Sequence, residues 1–213
     1  MRIYLIRHGQ TDWNARGKIQ GSTDIELNET GRWQAACLAG GMERRQVGQI
    51  FSSRLKRAFE TAQTIGDSQG VKVETVEGLR EVDFGEWEGL TWKEIEQKYP
   101  KEYKLWWENP AGIAPPGGET KEELHRRSAE VVEWILAHAK GDLAVVLHGG
   151  IMAYVVEYLM RNSRKDKAII VENASITTLE YDADSQMVRL VEKNDVSHLG
   201  RKSECLNTAD KNS

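Results

Sequence analysis

Two short apolar runs, one near each end of the chain, stop at the same pair of residues. Ile3-Tyr4-Leu5-Ile6 leads into Arg7-His8-Gly9, and Leu143-Ala144-Val145-Val146-Leu147 leads into His148-Gly149-Gly150. Short unbroken apolar runs ending at glycine read as strands. Open α/β sheets gather their ligand chemistry where such strands end. Two strands that each end in His-Gly therefore predict two imidazoles meeting at one sheet edge. The chain holds only five histidines, so coincidence is a poor rival account.

Each residue at these ends brings a distinct capacity. Arg7 offers a fixed cationic fork suited to phosphate or carboxylate. His8 offers a ring nitrogen that can be base, nucleophile or metal ligand near neutral pH. Gly9 lacks a Cβ, so backbone or ligand can come close. Ile151 to Met160 reads as a helix, which sets His148 between a strand end and a helix N-terminus. Free backbone N–H groups there favour anions.

Three further stretches bear on the same edge. Ser53-Arg54-Leu55-Lys56-Arg57 precedes a helix and crowds three cations into its first turn. That is the wrong end for the helix dipole, so the cluster points to a bound anion. Leu79-Arg80-Glu81-Val82-Asp83-Phe84-Gly85-Glu86-Trp87-Glu88-Gly89 is acid-rich and aromatic. Glu81 is its candidate proton donor; Asp83, Glu86 and Glu88 read as surface or cap residues. Residues 10–27, poor in apolar side chains and rich in donors, read as a binding loop carrying Asn14, Gln20 and Gly21.

The remaining pattern alternates strands and helices. Asn28 or Thr30 can cap a helix that runs to about Leu38 and stops at Gly40-Gly41. Short strands are expected at 49–51 and 71–76. Within 91–118, Trp92, Tyr99, Tyr103, Trp106 and Trp107 fall on helical spacing before Pro115-Pro116-Gly117-Gly118. This reads as a helical cap whose aromatic residues pack a small subdomain. Thr120 and Glu123 form a capping box for a long helix to about Ala139. Residues 175–181 and 187–193 close the fold as a hairpin, and the polar tail 200–213 reads as disordered. The expected architecture is α/β: a three-layer α/β/α sandwich with a mostly parallel central sheet. It forms one domain over residues 1–199, with a small helical cap insertion at about 86–118.

Composition narrows the function. A chain of 213 residues with 39% hydrophobic content can bury one core, and a net charge of −4 argues against a nucleic-acid binder. A local basic pocket for an anionic substrate remains open. No run approaches the roughly 20 apolar residues needed to span a membrane. Cys37 and Cys205 show no disulfide-framework or metal-ligand spacing. The expectation is a cytoplasmic protein with no metal, no cofactor and no membrane partner. Homo-oligomerisation is left open.

Arg7, His8, Arg57, Glu81 and His148 together fit a phosphate monoester. Two guanidinium forks offset its charge. One neutral imidazole can attack phosphorus, and a second, cationic imidazole can stabilise the equatorial oxygens of the transition state. A protonated carboxylic acid can donate to the leaving alkoxide and then activate water. The arginines supply the positive charge that a metal otherwise would. These residues alone do not say which histidine attacks.

In these respects the sequence resembles the histidine phosphatase superfamily, also called the phosphoglycerate-mutase-like family. The resemblance is carried by Leu5-Ile6-Arg7-His8-Gly9 with Thr11 and Asn14; by Gln20-Gly21, Asp24, Leu27 and Gly31; and by Ser53 with Arg57-Ala58 and Thr61-Ala62. It continues through Leu79-Arg80-Glu81, Phe84-Gly85, Trp87-Glu88-Gly89, Pro116-Gly117-Gly118-Glu119 and His148-Gly149. It implies that His8 is the phosphorylated nucleophile and Glu81 the proton donor. Arg7, Arg57 and His148 would form the phosphate pocket with Asn14 beside them. Gln20, Gly21 and Gly149 would approach a small-molecule phosphate monoester. Arg54 departs from the family pattern, either adding a cation at the pocket mouth or facing solvent.

Within the family, mutases carry a longer insertion with paired arginines before the proline turn. Asn109-Pro110-Ala111-Gly112-Ile113-Ala114 has none. The resemblance therefore favours the phosphatase branch, near broad-specificity phosphatase and α-ribazole phosphatase, over mutase-type phosphoryl transfer. Two readings outside the branch are a metallohydrolase using both histidines and Glu81, and a non-catalytic phospho-ligand binding module. Arg7 and Arg57 would repel a metal cation, and a binding module has no use for both His8 and Glu81.

Overall fold

The computed structural model describes residues 1–108, 113–163 and 170–200. The 109–112 stretch of the expected cap, most of the basic turn at 161–167 and the polar tail from 201 onward lie outside the described residues.

The described residues build one six-stranded sheet in the order β3-β2-β4-β1-β5-β6. The strands are β1 (Arg2–Arg7), β2 (Gln49–Ser52), β3 (Val73–Thr75), β4 (Leu143–Leu147), β5 (Ile176–Asp182) and β6 (Met187–Asp195). The first four pair in parallel, while β5 runs antiparallel to β1 and β6 antiparallel to β5. The helices are α1 (Asp12–Ala15), α2 (Glu29–Met42), α3 (Lys56–Gln69), α4 (Trp92–Lys98), α5 (Pro100–Glu108), α6 (Lys121–His138) and α7 (Gly149–Leu159). Among the described residues no helix is long and apolar enough to cross a membrane.

The unbroken apolar runs follow from burial on both sides. Ile3 and Leu5 of β1, with Leu143, Val145 and Leu147 of β4, pack against α6 and α7 through Leu124, Val131, Val132, Ile135, Ile151 and Val155. The alternate residues Tyr4, Ile6, Ala144 and Val146 face α2 and α3 through Leu38, Met42, Ala58, Ala62 and Ile65. Two-residue periodicity thus divides each central strand between two apolar cores. Truncating Leu5 to Ala in such a core costs about 2–5 kcal/mol.

Several boundaries depart from the sequence expectation for physical reasons. The binding loop contains α1, because Thr11 caps it and forms a capping box with Asn14. Asn28 caps α2 as expected, but α2 runs through Gly40-Gly41 to Met42. A Cβ at Gly41 would lie 2.7 Å from the His198 Cβ, so this glycine serves a close contact rather than a helix end. The Thr120–Glu123 capping box starts α6 as read. The aromatic residues of α4 and α5 pack on one another: the Trp106 ring lies 5.5 Å from the buried Trp87, and the Trp107 ring 5.4 Å from Trp92.

Register sets the site. Arg7 pairs with Leu147 across β1 and β4, and the His8 N–H donates to the Leu147 carbonyl at 3.1 Å. His8 and His148 therefore leave the sheet side by side, at the carboxyl ends of its two central strands.

Candidate active site

The two imidazoles meet with ring centroids 5.0 Å apart, and both are almost fully buried. Their hydrogen bonds differ. Nδ1 of His8 lies 2.6 Å from the Gly9 carbonyl. A carbonyl only accepts, so Nδ1 carries the proton and Nε2 holds the lone pair. Nδ1 of His148 instead receives the Nε–H of Arg57 at 3.1 Å. A guanidinium only donates, so the His148 proton resides on Nε2. That Nε2 is buried with no partner among the described residues.

Burial, then Arg57 and Arg7, hold the His8 ring well below the ordinary imidazole range. Burial, Arg57, His8 and Arg7 do the same to His148. Both rings are thus neutral near pH 7. This corrects the expectation of a cationic second imidazole: His148 offers a neutral N–H, not a charge.

The two arginines are placed by different elements. Arg7 ends β1, and its Nη1 donates to the Val171 carbonyl at 2.7 Å while Nε is buried without a partner among the described residues. Gly149 lies alongside it, where a Cβ would stand 3.4 Å from the Arg7 Nε, at ordinary contact distance. Arg57 lies in the first turn of α3 and is fully buried. Besides His148 it donates through Nη1 to the Thr23 carbonyl and through Nη2 to the Gly21 carbonyl, each at 2.8 Å. Burial lowers both arginines from their ordinary value, opposed in each case by the nearby Glu81 charge.

Of the three cations read at the start of α3, only Arg57 reaches the site. Lys56 pairs with Glu26 at 2.8 Å and Arg54 with Glu77 at 2.9 Å, both outside the pocket. The Asp24 carboxylate accepts the Lys56 N–H at 2.7 Å and supplies the acid that this helix start otherwise lacks.

Glu81 docks on the N-terminus of α7. Its Oε1 accepts from the Ile151 N–H at 2.8 Å and its own neighbour Val82 at 2.9 Å, and Oε2 accepts from Gly150 at 3.0 Å. The free helix N–H groups expected to greet an anion are thus partly taken by this carboxylate.

Asn14, Gln20 and Gly21 line the same cavity as Arg7, His8, Glu81 and Gly149, a space of about 320 Å³. Asn14 Oδ1 accepts from the Thr11 N–H at 3.1 Å and from Asn173 Nδ2 at 3.2 Å, and Gln20 Oε1 sits 2.8 Å from the Thr11 hydroxyl. Gly21 has φ of +55°, and a Cβ there would lie 2.0 Å from Glu88 Oε1. Lys18, Ile19, Phe84, Ile170 and Val171 complete the rim.

Some contributors were not legible beforehand. Asn173 Nδ2 also donates to the His8 carbonyl at 3.1 Å, and Val171 anchors Arg7. Neither carries a sequence signal beyond lying just before β5. Glu119, buried at the start of α6, accepts from Arg127 Nη2 at 2.7 Å, and Arg127 Nη1 donates to the Gly78 and Arg80 carbonyls at 2.8 Å. This brace holds the segment leading to Glu81. Glu88, expected at the surface or a cap, points inward and accepts from Ser22, Thr23 and Phe84.

Residues 3–194 match the model of the histidine phosphatase superfamily (branch 1). The chain is 37% identical over 201 residues to phosphoglycerate mutase-like protein 4 of Arabidopsis thaliana, covering 92% of this chain and 86% of that protein. It is 36% identical over 202 residues to a metal-independent phosphoserine phosphatase of the same plant, covering 92% and 82%. A mycobacterial glucosyl-3-phosphoglycerate phosphatase solved with VO3 superposes with a TM-score of 0.80 at 34% identity, covering 91% of this chain and 98% of that one. The chain belongs to the histidine phosphatase superfamily.

Proposed function

We propose that this protein hydrolyses phosphate monoesters of small molecules through a phosphohistidine on His8. The observation that carries the reading is a pair of buried, unpartnered donors, Arg7 Nε and His148 Nε2, beside a buried imidazole whose Nε2 holds a lone pair. Buried donors without acceptors are costly, at about 1–3 kcal/mol each, and suit a ligand rich in oxygen acceptors. The mycobacterial relative solved with VO3 supports a phosphoryl-sized occupant.

In this reading the His8 Nε2 attacks phosphorus as the ester P–O bond breaks. The leaving oxygen takes a proton from the Glu81 carboxyl group, which is left as the carboxylate. Glu81 then accepts a proton from water, the water oxygen attacks phosphorus, and the P–N bond breaks to give inorganic phosphate and neutral His8. Arg7 and Arg57 hold the phosphoryl oxygens, and His148 Nε2–H donates to one of them. Asn14 and Gln20 supply amide contacts, while Gly21 and Gly149 allow close approach. The negative charge that builds on phosphorus is met by guanidinium groups, so no step calls for a metal.

The test is a screen of phosphate monoesters after treatment with a chelator. It includes an aryl phosphate, phosphoserine and 3-phosphoglycerate, with the mutase product monitored. Release of inorganic phosphate is expected, undiminished by the chelator. Phosphoryl transfer between hydroxyls without release would move the chain to the mutase reading. Tight phosphate binding without turnover would make it a binding module.

A further inference from the structure

We propose that Glu88 is a positioning residue for the phosphate pocket, acting through the 21–23 backbone and Arg57. The proposal rests on the phosphatase reading above. Glu88 follows the short helical turn Gly85–Trp87 and sends its carboxylate under the substrate loop. Oε1 accepts from the Ser22 N–H at 2.7 Å, the Ser22 hydroxyl at 3.0 Å and the Phe84 N–H at 3.2 Å. Oε2 accepts from the Thr23 N–H at 3.0 Å and also from the Thr23 hydroxyl. Five donors from three residues converge on one carboxylate, and charge-assisted bonds of this kind are the strong ones.

What these bonds hold in place is the pair of carbonyls that grip Arg57. Gly21 and Thr23 present their C=O groups to Nη2 and Nη1, while Ser22 and Thr23 present their N–H groups to Glu88. The loop is thus clamped between an anion on one side and a cation on the other. Arg57 in turn fixes the His148 tautomer through Nε. Burial lowers the Arg57 pKa, and the charges of Glu81, Asp24 and then Glu88 oppose that at a distance. The Arg57 hydrogen bonds to Gly21 and Thr23 go to neutral carbonyls, not to a carboxylate. Gly21 completes the arrangement, because any side chain there would displace the Glu88 oxygen.

The experiment compares wild type, Glu88→Gln, Arg57→Ala and the double variant. It reads kcat and KM on an aryl phosphate, competitive inhibition by inorganic phosphate, and the unfolding midpoint. Wild-type turnover establishes the phosphatase reading separately, so loss of that reading cannot be mistaken for loss of this one. Glu88→Gln keeps the shape but turns one oxygen into a donor facing donors. It is expected to raise KM and the phosphate inhibition constant by about tenfold, with kcat changed less. In the Arg57→Ala background the same change is expected to cost less than about twofold, since the two residues act in series. Equal losses in both backgrounds, or unchanged phosphate inhibition in a folded Glu88→Gln protein, would overturn the proposal. Should Glu88→Gln fail to fold, Ser22→Ala removes one bond only. It is expected to weaken phosphate inhibition in the same direction, and unchanged inhibition there would equally overturn it.

Discussion

The two His-Gly strand ends are nearly the same in sequence and opposite in chemistry. His8 turns its Nδ1–H onto the next carbonyl and presents a lone pair. His148 accepts a hydrogen bond from a guanidinium at Nδ1 and presents an N–H. Both are buried, both stand at the carboxyl end of a central parallel strand, and both precede glycine. The difference comes from what reaches them from elsewhere: Gly9 itself for His8, and a helix some ninety residues distant in sequence for His148. Local sequence brings two imidazoles together; a third element decides which one presents an N–H and which a lone pair.

The comparison breaks most visibly under substitution. His8→Ala is expected to remove essentially all turnover, a loss of about 10⁴-fold or more, because nothing else supplies the nucleophile. His148→Ala is expected to lose about 10²–10³-fold, the usual effect of deleting one donor to a developing anion. Glutamine sharpens the contrast, since its amide N–H can stand in for Nε2–H but not for a lone pair. His148→Gln should recover part of the lost rate on an aryl phosphate, whereas His8→Gln should recover none. Equal behaviour of the two pairs would erase the distinction.

Glu81 comes next. Replacing it with Gln is expected to cost about 10²–10⁴-fold with an alkyl phosphate and far less with an activated aryl phosphate, whose leaving group needs no proton. A uniform loss across leaving groups would instead assign Glu81 to holding the start of α7.

The smallest effect is on stability. Both rings have folded-state pKa values below the ordinary imidazole value, by burial first and then by Arg57. The unfolded chain therefore binds more protons as pH falls below about 6.5, so stability drops on acidification from that point and is insensitive to these rings above it. Denaturant titrations at several pH values should show this slope in wild type and a shallower one in His8→Asn. An unchanged slope would mean that His8 is not buried as a neutral ring.

Much of this was readable beforehand, for identifiable reasons. Apolar strand runs, the capping box at Thr120 and the Asn28 cap are local signals, and they survive folding. Arg7, His8 and His148 converge because parallel pairing and register put strand ends together. What local pattern could not carry was the use of each group. Gly40-Gly41 looks like a stop but serves a contact with His198. Arg54 and Lys56 look like anion ligands but pair with Glu77 and Glu26. Glu88 looks like a surface acid yet faces inward, and the charge of His148 depends on a guanidinium donated by α3.

The central claim is that His8, and not His148, receives the phosphoryl group. Rapid quench of the enzyme with a slowly hydrolysed phosphate monoester, at alkaline pH to preserve a phosphorus–nitrogen bond, followed by peptide mass mapping, tests it directly. The account predicts a phosphoryl adduct on the peptide containing His8 and none on the peptide containing His148. An adduct on His148, or full turnover with no adduct on His8 at any quench time, would contradict it.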